Sequence, residues 1–409
     1  MTNALAARVE GHCDAAFLPV RALFERSVAE GEELGASLAV EIDGRPVIDL
    51  WGGWADAPGG TPWRRDTVCV VFSNTKPATA LCAHQLAEAG ELDLDRPVAH
   101  YWPAFAAEGK QSITPRMLLD HSAGLPALRA PLAEGDAFDW ARMTGLLARE
   151  RPFWAPGTRV GYHALTFGWL VGELVRRLSG QLPGDYFRDR IADPLGLDFW
   201  IGLPESEEPR VARIAPPPPL ASARNAFEHA LLHEPQSPTA LYMKNTGGWR
   251  PSGFNSRAGR AAGVPAAGGV THARSLARLY GTLAMGGARG TTRVLREDTL
   301  ARAVEVSAAT HDDACLRVPT RFGAGFMRQM DNRATGQDSA CIGADAFGHV
   351  GAGGSLGIAS PARRLGLGYV MNRMGPGVLL NERAHRLVDA VHACIDQRPP
   401  SMAASIFPA

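Results

Sequence analysis

Strand-like patterns lie near both ends of this 409-residue chain, and a long helical stretch separates them. Asp43-Gly44 joins two apolar runs, 37–42 and 46–51, which is typical of a β-hairpin. Strand patterns return at 322–329, 346–350, 355–360 and 366–371, whereas residues 91–260 show helical spacing and loops. We therefore predict an α/β (α+β) fold in which both ends of the chain build one antiparallel sheet.

The helical stretch is expected to form a domain inserted into the sheet domain. Residues 1–70 and 265–409 are predicted to form the α/β domain and residues 71–264 the mostly helical insertion, with the functional site between them. Apolar spacing predicts helices over 4–31 and 378–397 that cover the sheet. Another helix is predicted over about 73–89, because a buried run precedes it and Gly90 follows it.

Charge and hydropathy argue against several classes of partner. Acidic and basic residues number 42 each, so no positive field attracts nucleic acid or an anionic membrane. No run of about 18 apolar residues predicts a membrane span, and the first residues do not resemble a secretory signal. The six cysteines are scattered, which favours free thiols in a reducing compartment. We expect a cytoplasmic protein with a small-molecule substrate, no cofactor and no metal, and the sequence leaves the oligomeric state open.

The strongest local motif is Ser73-Asn74-Thr75-Lys76, an S-x-x-K. Residues three apart share a helix face, so the Lys76 amine can reach the Ser73 hydroxyl. A serine becomes a good nucleophile when a neighbour removes its proton, and a lysine does so when burial lowers its pKa. Taken alone, the motif is a weak signal, because a chance match is more often a capping serine and a surface lysine. However, the chain has 39 arginines and only three lysines, and arginine cannot serve as a base.

Two further stretches carry candidate site residues. Tyr162 follows a Pro-Gly turn and precedes a helical pattern, which predicts an exposed phenol at a loop edge. A phenol can relay a proton when nearby cations lower its pKa, although a packing tyrosine is the simpler interpretation. The glycine-rich run 348–355 is predicted to be a strand edge that a ligand approaches closely, and the alternative is a plain hairpin.

Together these stretches resemble the serine β-lactamase and penicillin-binding-protein superfamily, and within it the β-lactamase-like (family VIII) carboxylesterases. The similarity extends in the family's order from about residue 35 to 375. The matching segments are VFSNTKPATALCAHQLAEAGELDLDRPV, MLLDHSAGLP, PGTRVGYHALTFGWLVGELV, PAAGGVTHARSLARLYGTLA and FGHVGAGGSLGIASP.

The resemblance implies a role for each matching residue. Ser73 would be the nucleophile that is acylated, with Lys76 and Tyr162 as the general-base pair. His349-Val350-Gly351 would stand where the lactamases have Lys-Thr-Gly and would contact the substrate. The backbone N–H groups of Ser73 and Ala352 would form the oxyanion hole. The implied activity is that of a carboxylesterase acting on short-chain or aryl esters.

Two departures from the lactamase pattern favour esters over amides. Lactamases have Tyr-x-Asn, whereas Ala164 occupies the third position here, so the amide-binding side chain is missing. The replacement of Lys-Thr-Gly by a run that begins at His349 removes a fixed cation. An amide-bond enzyme (a lactamase or amidase) or an acyltransferase remains the alternative. A non-catalytic penicillin-binding-like protein is a third possibility, although such a protein would be expected to lose one of the three catalytic side chains.

Other motifs are weaker. The run 353–357 matches the G-x-S-x-G of α/β-hydrolases around Ser355, but too little chain follows it for the remaining strands and helices. His229 and His233 are four residues apart without a third candidate zinc ligand. The substrate pocket is expected to be walled by loops within 216–262 and by aromatic side chains such as Trp154, Trp249 and Phe254.

Overall fold

The computed structural model describes residues 8–397. The strands are β1 (Val9–Cys13), β2 (Gly35–Ile42), β3 (Arg45–Asp56), β4 (Thr61–Pro62), β5 (Cys69–Val70), β6 (Phe199–Ile201), β7 (Gly269–Thr271), β8 (Ala288–Arg289), β9 (Thr292–Arg293), β10 (Ala308–Thr310), β11 (Thr320–Phe322), β12 (Met327–Arg328), β13 (Phe347–Val350), β14 (Leu356–Ser360) and β15 (Leu365–Met371).

The α-helices are α1 (Leu18–Ala29), α2 (Thr75–Glu88), α3 (Val98–Tyr101), α4 (Pro115–Leu119), α5 (Trp140–Arg149), α6 (Thr166–Ser179), α7 (Pro183–Phe187), α8 (Asp193–Leu195), α9 (Ala226–His233), α10 (Pro238–Lys244), α11 (Pro251–Phe254), α12 (Arg257–Ala262), α13 (Ala273–Ala284), α14 (Glu297–Val304) and α15 (Glu382–Asp396). No helix within residues 8–397 is both long and apolar enough to cross a membrane.

Strands from both ends of the chain form one sheet, as the sequence predicts. Within the described residues its order is β1-β3-β2-β15-β14-β13-β12-β11-β10, with β4 paired to β3, and every pair is antiparallel. β2 pairs directly with β15, from Ala36 opposite Met371 to Ile42 opposite Leu365. The α/β fold class is confirmed, while the domain boundaries at 70/71 and 264/265 stay a prediction.

The predicted helix over 4–31 is wrong in its first part. Residues 4–7 lie outside the described residues, Val9–Cys13 forms edge strand β1, and the helix is α1. β1 pairs with β3, and a Cβ at Gly11 would lie 1.9 Å from the Asp49 carbonyl oxygen. Apolar spacing along a short segment cannot reveal that a distant strand offers a free edge to pair with.

Helices cover both faces of the sheet. On one face, Phe24 of α1 and Val391 of α15 share a core cluster with Leu38 of β2. On the other face, Tyr280 of α13 joins a second cluster with Val370 of β15. Because strand side chains alternate between faces, β2 and β15 contribute to both clusters. The sheet is therefore a rigid base for the turns at its edge.

Helix α2 is buried on nearly all sides and begins later than predicted. Eleven of its 14 residues are buried, and it packs against α6 and α7. Its first residue is Thr75, so Ser73 lies in the turn that leads into it. The sequence analysis also missed β6, a three-residue strand that joins β5 and β7 in a small second sheet next to this turn.

Candidate active site

Ser73 occupies a turn held by strong local contacts between β5 and α2. The residue before it, Phe72, has φ of +47°, a left-handed conformation that is rare for a bulky side chain. The Phe72 carbonyl accepts hydrogen bonds from the Thr75 N–H (2.9 Å) and hydroxyl (2.6 Å). The Gly269 N–H in turn donates to that hydroxyl at 2.8 Å. A strained backbone conformation that surrounding contacts hold in place is typical of functional sites. Here it leaves Ser73 half-buried, just before the first residue of α2.

The Lys76 amine lies next to the Ser73 hydroxyl in a fully buried position. Its Nζ is 3.2 Å from Ser73 Oγ, 2.7 Å from the Ala164 carbonyl oxygen and 3.1 Å from the Ala266 carbonyl oxygen. Burial lowers the pKa of Lys76 well below its usual value. A neutral amine has two N–H groups and one lone pair. Because the two carbonyl oxygens accept the two N–H groups, the lone pair is left for the Ser73 hydroxyl.

Tyr162 completes this group but is buried rather than exposed. Only 6% of its surface is accessible, so the predicted exposed position at a loop edge is wrong. The Ser73 side chain lies close enough to its hydroxyl to influence its pKa, and the Lys76 amine lies 4.7 Å from the centre of its ring. Burial nevertheless raises the pKa of Tyr162 above its usual value. The phenol is therefore protonated at neutral pH, where it can donate a hydrogen bond.

A buried carboxylate that the sequence analysis missed holds the backbone of Tyr162. Asp313 Oδ1 accepts hydrogen bonds from the N–H groups of Tyr162 (3.0 Å), Cys315 (2.8 Å) and Leu316 (2.9 Å). Its other oxygen accepts one from the Thr320 hydroxyl at 3.1 Å. Asp313 is 151 residues from Tyr162 in the chain. No local motif distinguishes it from its neighbour Asp312, and only the fold reveals the contact.

Two neutral histidines fix the segment around Tyr162. The His163 N–H donates to His121 Nδ1 at 3.1 Å, and the Leu125 N–H donates to His163 Nε2 at 2.9 Å. His163 Nδ1 donates to the Gly161 carbonyl at 2.7 Å, which assigns its proton to Nδ1. Burial lowers the pKa of His163 to about 3 and that of His121 well below its usual value. Neither ring adds positive charge beside Lys76.

His349 also lies beside this group as a neutral ring. Its ring centre is 5.9 Å from that of Tyr162, and its Nδ1 donates to the Val350 carbonyl at 2.7 Å. Burial, and then the nearby Lys76, lowers the pKa of His349 to about 3. The site therefore has no fixed cation at the position where the sequence resemblance places the lactamase lysine.

Gly351 and Ala352 lie in the turn between β13 and β14, in agreement with the hairpin alternative. β13 ends at Val350, and β14 begins at Leu356. Ala352 is exposed in the intervening turn, beside the buried Gly351. Within residues 8–397, the N–H groups of Ser73 and Ala352 donate to no protein acceptor. Both donors are thus available to a ligand.

The aromatic residues expected around the pocket separate into two groups. Phe254 packs edge-to-face on Phe72, with ring centres 5.2 Å apart, and Trp249 packs on Phe254 at 5.9 Å. Trp154 instead packs against His163 at 6.2 Å and donates to the Ser122 carbonyl. The segment 216–262 is also not a plain loop, because it contains α9 to α12.

The two competing motifs do not form sites. Ser355 is fully buried between β13 and β14, and its hydroxyl bonds to Val71 and Asn74 rather than to a histidine. It is therefore not on the strand-to-helix elbow that G-x-S-x-G requires. His229 and His233 are exposed on α9, and the described residues contain no group of three candidate metal ligands.

Comparison with known proteins agrees with this geometry. A family model described as Beta-lactamase matches residues 20–392. This chain belongs to the beta-lactamase family. The Esterase/beta-lactamase LipL of Mycobacterium tuberculosis is 36% identical over 391 residues, covering 92% of this chain and 86% of that protein. The resemblance stated from the sequence is therefore confirmed.

Solved structures of the beta-lactamase family superpose on nearly the whole chain. A penicillin-binding protein homologue from Caulobacter crescentus has a TM-score of 0.84 and 35% identity, covering 95% of this chain and 100% of that chain. A family VIII carboxylesterase has a TM-score of 0.83 and 36% identity, with the same coverage.

Proposed function

We propose that this chain is a serine hydrolase that cleaves carboxylic esters, of short-chain or aryl type, through an acyl-enzyme on Ser73. Membership of the beta-lactamase family makes it a hydrolase, and the ester bond and the residue roles are the proposed part. The observation that carries the proposal is the buried Lys76 amine 3.2 Å from Ser73 Oγ, with both its N–H groups bonded to carbonyl oxygens. The names of relatives, an esterase/beta-lactamase and a family VIII carboxylesterase, support the same class of reaction.

In the proposed acylation step, the Ser73 hydroxyl gives its proton to the Lys76 amine while Oγ attacks the ester carbonyl carbon. The carbonyl oxygen becomes an oxyanion, which the N–H groups of Ser73 and Ala352 stabilise. When the C–O bond to the alcohol breaks, the leaving oxygen receives a proton from the Lys76–Tyr162 pair. Water then attacks the acyl-enzyme and loses a proton to the same pair, which passes a proton to Ser73 Oγ as the bond between Oγ and the acyl carbon breaks and the acid leaves.

The side chains around the site favour neutral esters. Ala164 offers no amide side chain to hold an acylamino group, and its carbonyl oxygen is already bonded to Lys76. Neutral His349 offers no charge for a substrate carboxylate. An ester also needs less stabilisation of its leaving group than an amide does, so both losses matter less for ester cleavage.

Covalent labelling tests the nucleophile. We expect intact-protein mass spectrometry to show one adduct after incubation with p-nitrophenyl butyrate or a fluorophosphonate, and none on Ser73→Ala. Ser360→Ala serves as the matched control because its buried hydroxyl bonds only to Asp345, away from the site, and it should label like the wild type. Labelling of Ser73→Ala, or no labelling of the wild type, contradicts the proposal.

Cleavage of a lactam is the second candidate, since the relative LipL is named an esterase/beta-lactamase. The ratio of p-nitrophenyl ester hydrolysis to chromogenic cephalosporin hydrolysis separates the two. A ratio far above one supports the ester assignment. A ratio below one would assign the chain to amide-bond cleavage instead.

A further inference from the structure

One buried hydroxyl joins the two turns that carry the proposed oxyanion donors. Ser355 Oγ donates to the carbonyl of Val71, two residues before Ser73, at 3.1 Å. It accepts a hydrogen bond from Nδ2 of Asn74, the residue after Ser73, also at 3.1 Å. The Ser355 carbonyl accepts from the Gly351 N–H at 2.7 Å, which closes the turn that contains Ala352.

The turn that contains Ala352 and the turn that contains Ser73 pack against each other without room for a side chain at Gly351. A Cβ at Gly351 would lie 2.2 Å from Ser355 Oγ and 2.4 Å from the Val71 carbonyl oxygen. Glycine at 351 therefore lets the Ala352 turn meet the Ser73 turn, and Ser355 supplies the polar contact between them. On the far side, Asn381 Nδ2 donates to the Gly353 carbonyl at 2.7 Å, which ties the Ala352 turn to the start of α15.

We propose that Ser355 is a positioning residue that sets the separation between the N–H groups of Ser73 and Ala352. The inference rests on the proposed function, in which these two groups stabilise the oxyanion. Ser355 does not touch the reacting atoms, because its hydroxyl is directed at Val71 and Asn74. The serine of the G-x-S-x-G run therefore positions the oxyanion hole and is not a second nucleophile.

The test compares an ester with its thionoester, in which sulfur replaces the carbonyl oxygen. Sulfur is larger and a weaker hydrogen-bond acceptor, so a well-formed oxyanion hole favours the ester. In Ser355→Ala we expect kcat for the ester to fall about tenfold, with a smaller fall for the thionoester and little change in KM. Rates are expressed per site labelled by fluorophosphonate, so loss of folded protein does not change the ester-to-thionoester ratio.

Ser360→Ala is the matched control, since it removes another buried hydroxyl from the same hairpin, bonded to Asp345 at 2.8 Å and 2.9 Å. It should leave the ester-to-thionoester ratio unchanged. Asn74→Ala should lower the ratio as Ser355→Ala does, and the double variant should lower it no further, because both changes break the same link.

An unchanged ratio in Ser355→Ala would overturn the inference, as would full additivity with Asn74→Ala. These outcomes differ from failure of the proposed function, which would show as wild-type protein that neither labels at Ser73 nor hydrolyses either substrate.

Discussion

Lys76 must be neutral to accept the Ser73 proton, and burial disfavours its ammonium form. Burial also lowers the pKa of the three histidines that face the site, His121, His163 and His349. The Ala164 and Ala266 carbonyls satisfy its N–H groups without adding a formal negative charge. In the proposed mechanism Lys76 therefore acts as a base, and its positive charge plays no part in binding substrate.

Lys76→Arg is expected to lower kcat by about 100-fold or more, because a guanidinium keeps the charge but has no lone pair to accept the proton. In the wild type, kcat/KM should fall as pH drops through the lowered pKa of the amine. The measurement is the pH profile of p-nitrophenyl butyrate hydrolysis, with exposed Lys244→Arg as the control. Activity of Lys76→Arg within about tenfold of the wild type would mean that charge alone suffices.

Local motifs predicted Ser73, Lys76 and Tyr162 as candidates, and the structure brings all three together. For Ser73 and Lys76 the S-x-x-K spacing contains that information, because residues three apart lie close together across a helical turn. Tyr162 is a candidate because it follows a Pro-Gly turn. Asp313 and the link through Ser355 depend on contacts between residues far apart in the chain, so no pattern in the sequence predicts them.

At the scale of elements, turn and strand patterns predicted the central hairpin and strands β13, β14 and β15, whose residues are all buried within the covered sheet. These patterns did not predict β1 and β6. Each of these strands forms because it pairs with the edge of a strand that is distant in the chain, β3 for β1 and β7 for β6.

The C-terminal end of helix α5 contacts a buried lysine, Lys110, that has no role in the proposed reaction. Lys110 Nζ donates to the carbonyls of Ala148 (3.1 Å) and Glu150 (2.6 Å), at the C-terminal end of α5. A cation at this end of a helix satisfies carbonyls that have no partner within the helix. Lys110 thus fixes α5 against the segment that precedes α4.

Lys110→Met keeps the length of the side chain but leaves both carbonyls unsatisfied. We expect the free energy of unfolding to fall by about 2–4 kcal/mol, while kcat per labelled site is unchanged. Chemical denaturation measures the first quantity and titrated kinetics the second. Lys244→Met, on the exposed face of α10, should change stability by less than about 0.5 kcal/mol, and an equal effect of the two variants would contradict this role.

At the scale of the whole molecule, a buried ionic cluster joins the segment after α1 to the last strand and the last helix. Glu33, which is 2% exposed, accepts hydrogen bonds from Arg383 of α15 at 2.7 Å and from the hydroxyl of Tyr369 in β15. Burial outweighs the attraction of Arg383 and raises the pKa of Glu33 to about 7. The folded state therefore binds a proton here that the unfolded chain has already released near pH 4.5.

Because the pKa of Glu33 is higher in the folded than in the unfolded state, protonation of Glu33 stabilises the fold. This stabilisation is complete below pH 4.5 and is lost as pH rises toward about 7. The loss amounts to about 3 kcal/mol in the free energy of unfolding, since the pKa of Glu33 is 4.5 in the unfolded chain and about 7 in the folded state. Glu33→Gln should remove this slope from denaturation curves measured between pH 4.5 and 7.5. An identical slope in Glu33→Gln and the wild type would show that other groups cause the pH dependence.

The burial of lysines also affects how the protein can be attached to a surface. Lys76 and Lys110 are fully buried, and Lys244 is exposed near the end of α10. Reagents that acylate amines will therefore reach Lys244 as the single accessible side-chain amine of the folded chain, apart from the α-amino group. Coupling through it would give an oriented, singly tethered preparation whose proposed base is protected from the coupling reagent by the fold itself.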